Sequence, residues 1–401
     1  MNRYHRHFAI LATTLWSAST SSAMEAETPN YFHGVAKASE TLAASVYTAN
    51  PEANTISCAL GPVQILETLH QALDAGETTI AGEIEQYVGH GITAEGLKAF
   101  KALTAAESAY TSLFLNNQYI LPSHEGVNQE AIETLSELGS QIVPLDFSDA
   151  QGAADKINEI VARDTQQMIQ SIANPQHFSD LTRAVFLSTL YVKAKWDGSF
   201  YDKKIWFKTS KPAKKIEGFK GCGYMFYSET KNDMFLTIPA SSRTYMMIKL
   251  SKKEGRVSPI TNEEWNAANR NKTRDFTEVH MPAFTIQNTM FLNTHLREAM
   301  PTLLGSDFQT TITQDPLVVS AILQKNKMVV CKDGLEACSV TMLAVRAMCS
   351  SSQPPVIKQH IQINRPFSFR LFKGIGINPE TNGSKDFLCL FDGVINDPTI
   401  V

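Results

Sequence analysis

Cysteine, lysine and histidine are the residue types in this chain that could do chemistry, and their spacing decides what kind. The six cysteines, Cys58, Cys222, Cys331, Cys338, Cys349 and Cys389, are too few and too scattered for a disulfide framework, and no CxxC or Cys/His spacing points to zinc. Three of them, Cys331, Cys338 and Cys349, crowd into or beside residues 332–355. A redox role competes there with a plain need for small side chains, and the plain need is favoured. In residues 202–220, Lys203, Lys204, Lys208, Lys211, Lys214, Lys215 and Lys220 stand against only Asp202 and Glu217. That balance suits a polyanion or an acidic partner; a solvated strand edge protected by lysine is the favoured reading. The ten histidines include no pair at metal-ligand spacing, and His280, between Val279 and Met281, reads as a half-buried structural residue. GxSxG, HExxH, GxxxxGK and a strand-borne GxGxxG are all missing. The chain is not read as an enzyme, and no cofactor is implied.

Residues 332–355 read KDGLEACSVTMLAVRAMCSSSQPP and join two strand-like stretches, MVVC and VIKQHIQI. At 24 residues the segment exceeds the roughly 12–15 beyond which structureless connections become uncommon. Its first half is unlike a flexible linker, because Leu, Ala, Val, Thr and Met suit a sheet better than a coil. It has the composition of a strand with no sheet assigned to it.

The elements that must position this segment follow from periodicity. GPVQILETLHQALDAG, residues 61–76, has Pro62 near a helix start, Val63, Leu66, Leu69 and Leu73 at helical spacing, and Gly76 as a stop. SLFLNNQYIL and QIVPLDF are short strands flanking a helical stretch over 130–138. A second helix starts behind Asp149 and aligns Ile157, Ile160, Val161 and Met168. AVFLSTLYVKAKW, residues 184–196, opens as an unbroken β-branched and aromatic run, the mark of a strand covered on both faces. YMFYSE, MFLTIPA, YMMIKL and EVHMPAFTI follow in quick succession, then a helix near 293–300, then IQINRPFSFRLF and FLCLFDGVI. Helices lead and strands dominate later, so the expected class is α+β.

With 401 residues, 43% hydrophobic and 19% charged, the chain has ample material for a core, and no linker or repeat divides residues 30–400. A formal charge of −4 gives no pull toward nucleic acid or an anionic membrane. MNRYHRH is basic, FAILATTLWSA apolar and too short to span a bilayer, and STSSA small. This is the three-part plan of a secretory signal with cleavage after Ala23. The expectation is a signal peptide over 1–23, one domain over 24–401, and a secreted or periplasmic protein.

From about residue 30 onward the chain resembles the serpins. NTISCALGPVQI is similar to the family's entry into its second helix, and IVPLDFSDAQGAADKINEIVARDTQQMI to the run through its sixth. AVFLSTLYVKAKWDGSF resembles the main-sheet strand that ends in Lys-Trp; EVHMPAFTI, NRPFSFRLF and FLCLFDGVINDP resemble later family strands in the right order. The resemblance implies three β-sheets, about eight or nine helices and an exposed reactive-centre loop over about 332–355. It further implies a monomeric suicide inhibitor whose partner is a serine protease, with neither nucleic acid nor membrane involved. A non-inhibitory binding or carrier protein on the same fold is the alternative.

Under that resemblance KDGLEACSV is the loop hinge, with Gly334, Leu335, Glu336 and Ala337 as its first residues. The family's usual spacing puts the cleaved bond between Met348 and Cys349, with Arg346 and Ala347 as the alternative pair. Met348 favours elastase-, subtilisin- or chymotrypsin-like proteases. Ser188, Gln324 and Trp196 fall in the region where the main sheet opens; with Gly61 and Gln64, Ser188 and Gln324 stand where the family tends to have Asn, His and two Ser. Lys332 departs from a usual acid, Leu335 from a smaller Thr or Ser, and Val340 interrupts the small residues. Strand parity assigns Leu335, Ala337, Ser339, Thr341, Leu343 and Val345 to one uncharged face, while both charges, Glu336 and Arg346, fall on the other.

Overall fold

The computed structural model describes residues 31–104, 106–108, 111–123, 126–209, 212–253, 255–335, 355–375 and 386–400. The expected signal segment and residues 336–354 lie outside the described residues. Helix α1 (31–49) buries Tyr31, Val35, Ala38 and Leu42, a stripe at helical spacing. After β1 (Thr55–Ser57) comes α2 (Leu60–His70), in which every residue from 60 to 69 is buried. A helix apolar on nearly every side belongs inside the molecule. It stops at His70 rather than near Gly76: the Gln71 N–H turns back to the Leu69 carbonyl, and Leu73 leaves the helix to bridge Thr310.

α3 (Thr78–Val88) and α4 (Ala94–Thr104) precede β2 (Ala106–Ser108) and β3 (Thr111–Pro122); α5 (Gln129–Leu138), β4 (Ser140–Leu145) and α6 (Ala150–Asp164) follow. Asp149 caps α6 by accepting from the Gly152 N–H at 2.9 Å. Met168 falls outside that helix, because Gln166 and Gln167 take left-handed φ values of 51° and 64° and reverse the chain. Strands then dominate: β5 (Ala184–Lys195), β6 (Ser199–Asp202), β7 (Ile205–Phe207), β8 (Lys214–Ile216), β9 (Gly218–Glu229), β10 (Asp233–Ala240) and β11 (Thr244–Ser251). α7 (Asn262–Arg270) was not anticipated, although its capping box, Thr261 and Glu264 bonded reciprocally, is visible as T-x-x-E. β12 (Thr273–Pro282), β13 (Phe284–Phe291) and the four-residue α8 (Asn293–Leu296), shorter than the expected 293–300, come next. β14 (Val319–Cys331), β15 (Gly334–Leu335), β16 (Gln359–Gln362), β17 (Phe367–Ile375) and β18 (Asp386–Ile395) complete the order.

These eight described helices surround three sheets, an α+β architecture as expected. The seven-stranded sheet runs β13-β14-β15-β5-β3-β2 with β4 beside β3; a nine-stranded sheet runs β1-β18-β17-β11-β10-β9-β12-β16 with β6 beside β9; β7 and β8 pair alone. β5 is central to its sheet, and its first six residues, 184–189, are all buried. That is the two-face burial its apolar run implied.

The larger sheet holds a fully buried ion pair. On β17, Arg370 donates to Asp392 Oδ1 of β18 at 2.7 Å, to Asn262 Oδ1 at 2.7 Å and to the Ile260 carbonyl at 3.2 Å, with its guanidinium 5.0 Å from the Trp265 ring. Burial opposes the charge, but the Asp392 carboxylate more than compensates and holds Arg370 protonated more firmly than an ordinary guanidinium. Asp392→Ala strands that cation without a counter-charge, and unfolding stability should fall by about 3–5 kcal/mol. Urea denaturation checks this; an unchanged midpoint would mean the pair carries no share of the packing of α7 on β17 and β18.

Candidate functional site

The site begins where two strands part. β5 and β14 are parallel neighbours from Ala184 and Val319 up to Ser188 and Gln324. Higher up, β15 lies between them and pairs antiparallel with both: Gly334 with Lys195 and Cys331, Leu335 with Ala194 and Val330. The chain has turned back at 332–333 and entered its own sheet. Glycine is required for that entry. Gly334 has φ 141°, and a Cβ there would stand 2.2 Å from the Ala194 carbonyl oxygen.

Leu335 is 1% exposed. It closes the top of a narrow cleft lined by Leu190, Val192, Met328, Leu371 and Phe391. Its side chain therefore lies on the core side, the face that parity assigned to it. Trp196, just past β5, donates its Nε1 proton to the Cys331 carbonyl at 2.9 Å and fastens the tops of β5 and β14 together. Across the outside of the cleft runs the segment after α6, held by Lys327 Nζ to the Met168 carbonyl at 3.1 Å and Lys325 Nζ to the Ser171 carbonyl at 2.6 Å. Lys332, on the turn, pairs with Asp202 of β6 at 2.5 Å, which raises its pKa.

Beneath the sheet, α2 and the turn before it reach both halves. Ser188 packs so closely on the helix that a Cβ at Gly61 would come within 1.7 Å of its Oγ. Asn117 of β3, opposite Ser188, donates to Gln64 Oε1 at 2.9 Å. On the other side Gln324 Nε2 donates to the Cys58 carbonyl at 2.7 Å, and Asn326 Nδ2 bonds Gln324 Oε1 at 3.1 Å and Asn288 Oδ1 at 3.0 Å. Asn288 in turn donates to the Ile56 carbonyl at 2.6 Å. Ser188 and Gln324 thus form the last pair of the closed ladder, and Trp196 marks the opposite end of the opening. Asn117, Asn288 and Asn326 were missed in the sequence. The available signal was an amide in the middle of an otherwise apolar strand. Glu336 and Ala337 of the hinge, and Arg346, Ala347, Met348 and Cys349 of the candidate bonds, lie outside the described residues.

The chain re-emerges in β16, an edge strand parallel to β12. Glu278 of β12 gathers three strands: its Oε2 pairs with Lys220 at 2.8 Å, and its Oε1 contacts His280 Nε2 at 3.2 Å and His360 Nδ1 of β16 at 3.3 Å. His280 is the partly buried structural residue expected, with a role in a cluster that one sequence could not reveal. Among the described residues no group of three or more His, Cys, Asp or Glu is arranged to hold a metal ion. Cys58, Cys222 and Cys389 are free thiols; Cys338 and Cys349 lie outside the described residues. The lysine-rich stretch forms the β7–β8 ribbon, with Ile205, Phe207 and Ile216 buried and Lys204 paired to Glu217 at 3.0 Å. Lys211 lies outside the described residues.

A sequence model of the family described as Serpin (serine protease inhibitor) matches residues 37–374. Neuroserpin of Mus musculus is 24% identical over 348 residues, covering 77% of this chain and 84% of that protein. Among solved structures, Serpin48 of the insect Tenebrio molitor superposes with a TM-score of 0.75 at 22% identity, covering 93% of this chain and 99% of that one. Human thyroxine-binding globulin, complexed with thyroxine, gives a TM-score of 0.75 at 17% identity, covering 92% of this chain and 99% of that one.

The Glu278 cluster makes the attachment of β16 sensitive to acid. Lys220 holds the Glu278 carboxyl down to about 2 against the opposing effect of burial, and both histidines add to it. A carboxyl depressed in the folded state stabilises above its unfolded pKa of about 4.3 and loses that contribution as pH falls toward 2. The stability difference between wild type and Glu278→Gln should be constant above about pH 5 and shrink between about pH 4 and pH 2. Urea midpoints across that range decide it; a difference independent of pH removes the linkage.

Proposed function

The chain belongs to the serpin family, and on that premise we propose that it is an exported suicide inhibitor of serine proteases, with residues 1–23 a signal peptide and residues 24–401 one serpin domain. The carrying observation is the seat of Gly334 and Leu335 between β5 and β14, hydrogen-bonded to both. Proteins of this family target serine proteases in general; which protease is the finer question. The protease serine attacks the carbonyl carbon of Met348, the bond to Cys349 breaks, and the new amine takes its proton from the protease histidine, leaving an acyl-enzyme. The freed loop then follows its first two residues into the sheet and draws the acylated protease to the far pole.

Extending the observed register one residue at a time pairs Glu336 with Lys193 and Val329, and Thr341 with Ser188 and Gln324. Residues 336–340 fill the cleft before the closed ladder has to open. Val345 then meets Ala184, the first residue of β5, so a complete insertion matches β5 in length and Met348 lies just beyond it. The stretch from 335 to 348 reaches roughly 46 Å at about 3.3 Å per residue, the length of that journey. Alternate residues follow Leu335 onto the core face, and none of them is charged.

A second reading, a binding or carrier protein that does not insert its loop, draws on Lys332 and Leu335, where the hinge departs from the inhibitory pattern. One experiment separates the two. Incubated with elastase-, subtilisin-, chymotrypsin- and trypsin-like proteases, an inhibitor gives a covalent complex that survives SDS, and a carrier gives only cleavage products. Mass spectrometry of the released peptide assigns the bond: an N-terminus at Cys349 supports Met348, and one at Ala347 transfers the role to Arg346.

Insertion should also change stability. Burying Leu343 and Val345 contributes about 1.5–3 kcal/mol each and each new ladder bond about 0.5–1.5 kcal/mol, enough to outweigh the ordering of the loop. Protein nicked between residues 341 and 348 should melt well above intact protein. Ala337→Arg, which forces a charge onto the core face, should abolish both that rise and the covalent complex while leaving cleavage intact. An unchanged melting temperature after nicking favours the carrier.

A further inference from the structure

We propose that Asn271 is an N-glycosylation site, the acceptor of a preassembled oligosaccharide as the chain is exported. The proposal rests on the export reading above. Only two triplets in the sequence have the form Asn-x-Ser/Thr with x other than Pro. One is Asn271, Lys272 and Thr273; the other, Asn382, Gly383 and Ser384, lies outside the described residues.

In this chemistry the Asn271 Nδ2 forms a C–N bond to the anomeric carbon of a lipid-pyrophosphate-linked oligosaccharide. The bond from that carbon to the phosphate oxygen breaks, the pyrophosphate lipid leaves with the electron pair, and one amide proton is lost to base. The amide remains an amide and no oxidant is needed. The sugar is attached while the chain is still unfolded, so the fold has no part in the reaction itself. What the fold must do is leave room for a bulky, solvated substituent.

Most asparagines in mid-strand fail that condition. Asn117 and Asn326 are buried, and their amides are committed to Gln64, Gln324 and Asn288. Asn271 meets it. It caps the C-terminus of α7, its backbone N–H donating to the Ala267 carbonyl at 3.1 Å, and it is exposed, with no side-chain hydrogen bond among the described residues. The two residues that follow it are fastened down. Lys272 lays its ammonium 4.8 Å from the Phe226 ring and bonds Asn269 Oδ1 at 3.2 Å, while Thr273 enters β12 opposite Tyr227. The glycan would therefore stand on a fixed point of the surface, and nothing packed in the core would move to admit it.

Its position also spares the inhibitory machinery. β16, which receives the chain after the loop, pairs with β12 from Thr277 to His280, and Asn271 lies six residues before Thr277. At about 3.3 Å per residue that is roughly 20 Å away along the strand. A glycan there covers the α7 end of the molecule and leaves the loop's return unshaded.

The test is expression of the full chain, with its own N-terminus, in a eukaryotic secretory host. Secreted wild-type protein should lose mass on treatment with a peptide N-glycosidase, and treatment in heavy-oxygen water should convert Asn271 to labelled Asp. Asn271→Gln and Thr273→Ala should each remove one glycan from the gel mobility, Thr273→Ser should keep it, and Asn382→Gln should leave the Asn271 label unchanged. Secreted wild-type protein with Asn271 unlabelled overturns the proposal, as does an Asn271 label that survives Thr273→Ala. If the chain stays inside the cell, the export reading has failed instead. Residues 24–401 behind the host's own leader then decide the site: a labelled Asn271 supports it and an unlabelled one overturns it.

Discussion

A strand inside a sheet has two rows of backbone donors and acceptors, and both must find partners. β5 meets this demand in an unusual way on the side facing β14. Its lower half pairs directly with that strand, its top pairs with Gly334 and Leu335, and between them lies the cleft. The rest of the site is arranged around that gap. Trp196 fastens the top, the Ser188–Gln324 pair closes the bottom, α2 and the turn before it support both strands from beneath, and the lysines of β14 hold the segment after α6 across the outside. A chain able to extend β15 by a few residues would complete the ladder, and the next residues of this chain have the composition to do it.

Much of this was legible in one sequence because it is written in local pattern. The central strand declared itself by an apolar run without alternation, and the odd connection by carrying strand residues where a linker should carry glycine. Parity alone put Leu335 on the core face, where it is found. The misses have a common cause. α2 stops at His70 and Met168 leaves α6 because of turns whose partners are backbone groups, and periodicity does not record those. The approach of Gly61 to Ser188 and the gathering of Lys220, His280 and His360 on Glu278 depend on strand order and register, which join residues far apart in the chain. Residues 336–354, which would carry the remaining hinge and bond assignments, lie outside the described residues.

Two of the hinge departures lose weight once their surroundings are known. Leu335 is read as bulkier than the family's usual residue, but it is already buried in the cleft that Leu371 and Phe391 also line, so under the proposed insertion its accommodation is not a barrier still to be met. Lys332 has the opposite sign to the usual acid, and it has an acid opposite it in Asp202. This pair is exposed and screened by solvent, so it orients the turn more than it stabilises it.

In the proposed insertion, what remains to resist is the opening of Ser188 from Gln324, and here α2 and the turn before it matter most. The helix and the turn before it are bonded to both halves of the sheet, to β3 through Asn117 and Gln64 and to β14 through Gln324 and the Cys58 carbonyl. When the halves separate, the helix can stay with only one of them. These are bonds between uncharged groups, each worth about 0.5–1.5 kcal/mol net, whereas every further residue of an inserting strand adds ladder bonds and, on alternate positions, buried side chains. Under the proposed insertion the side-chain amides would act as a soft catch: strong enough to keep the ladder closed while the loop is whole, and too weak to hold it once a free strand end presses into the cleft.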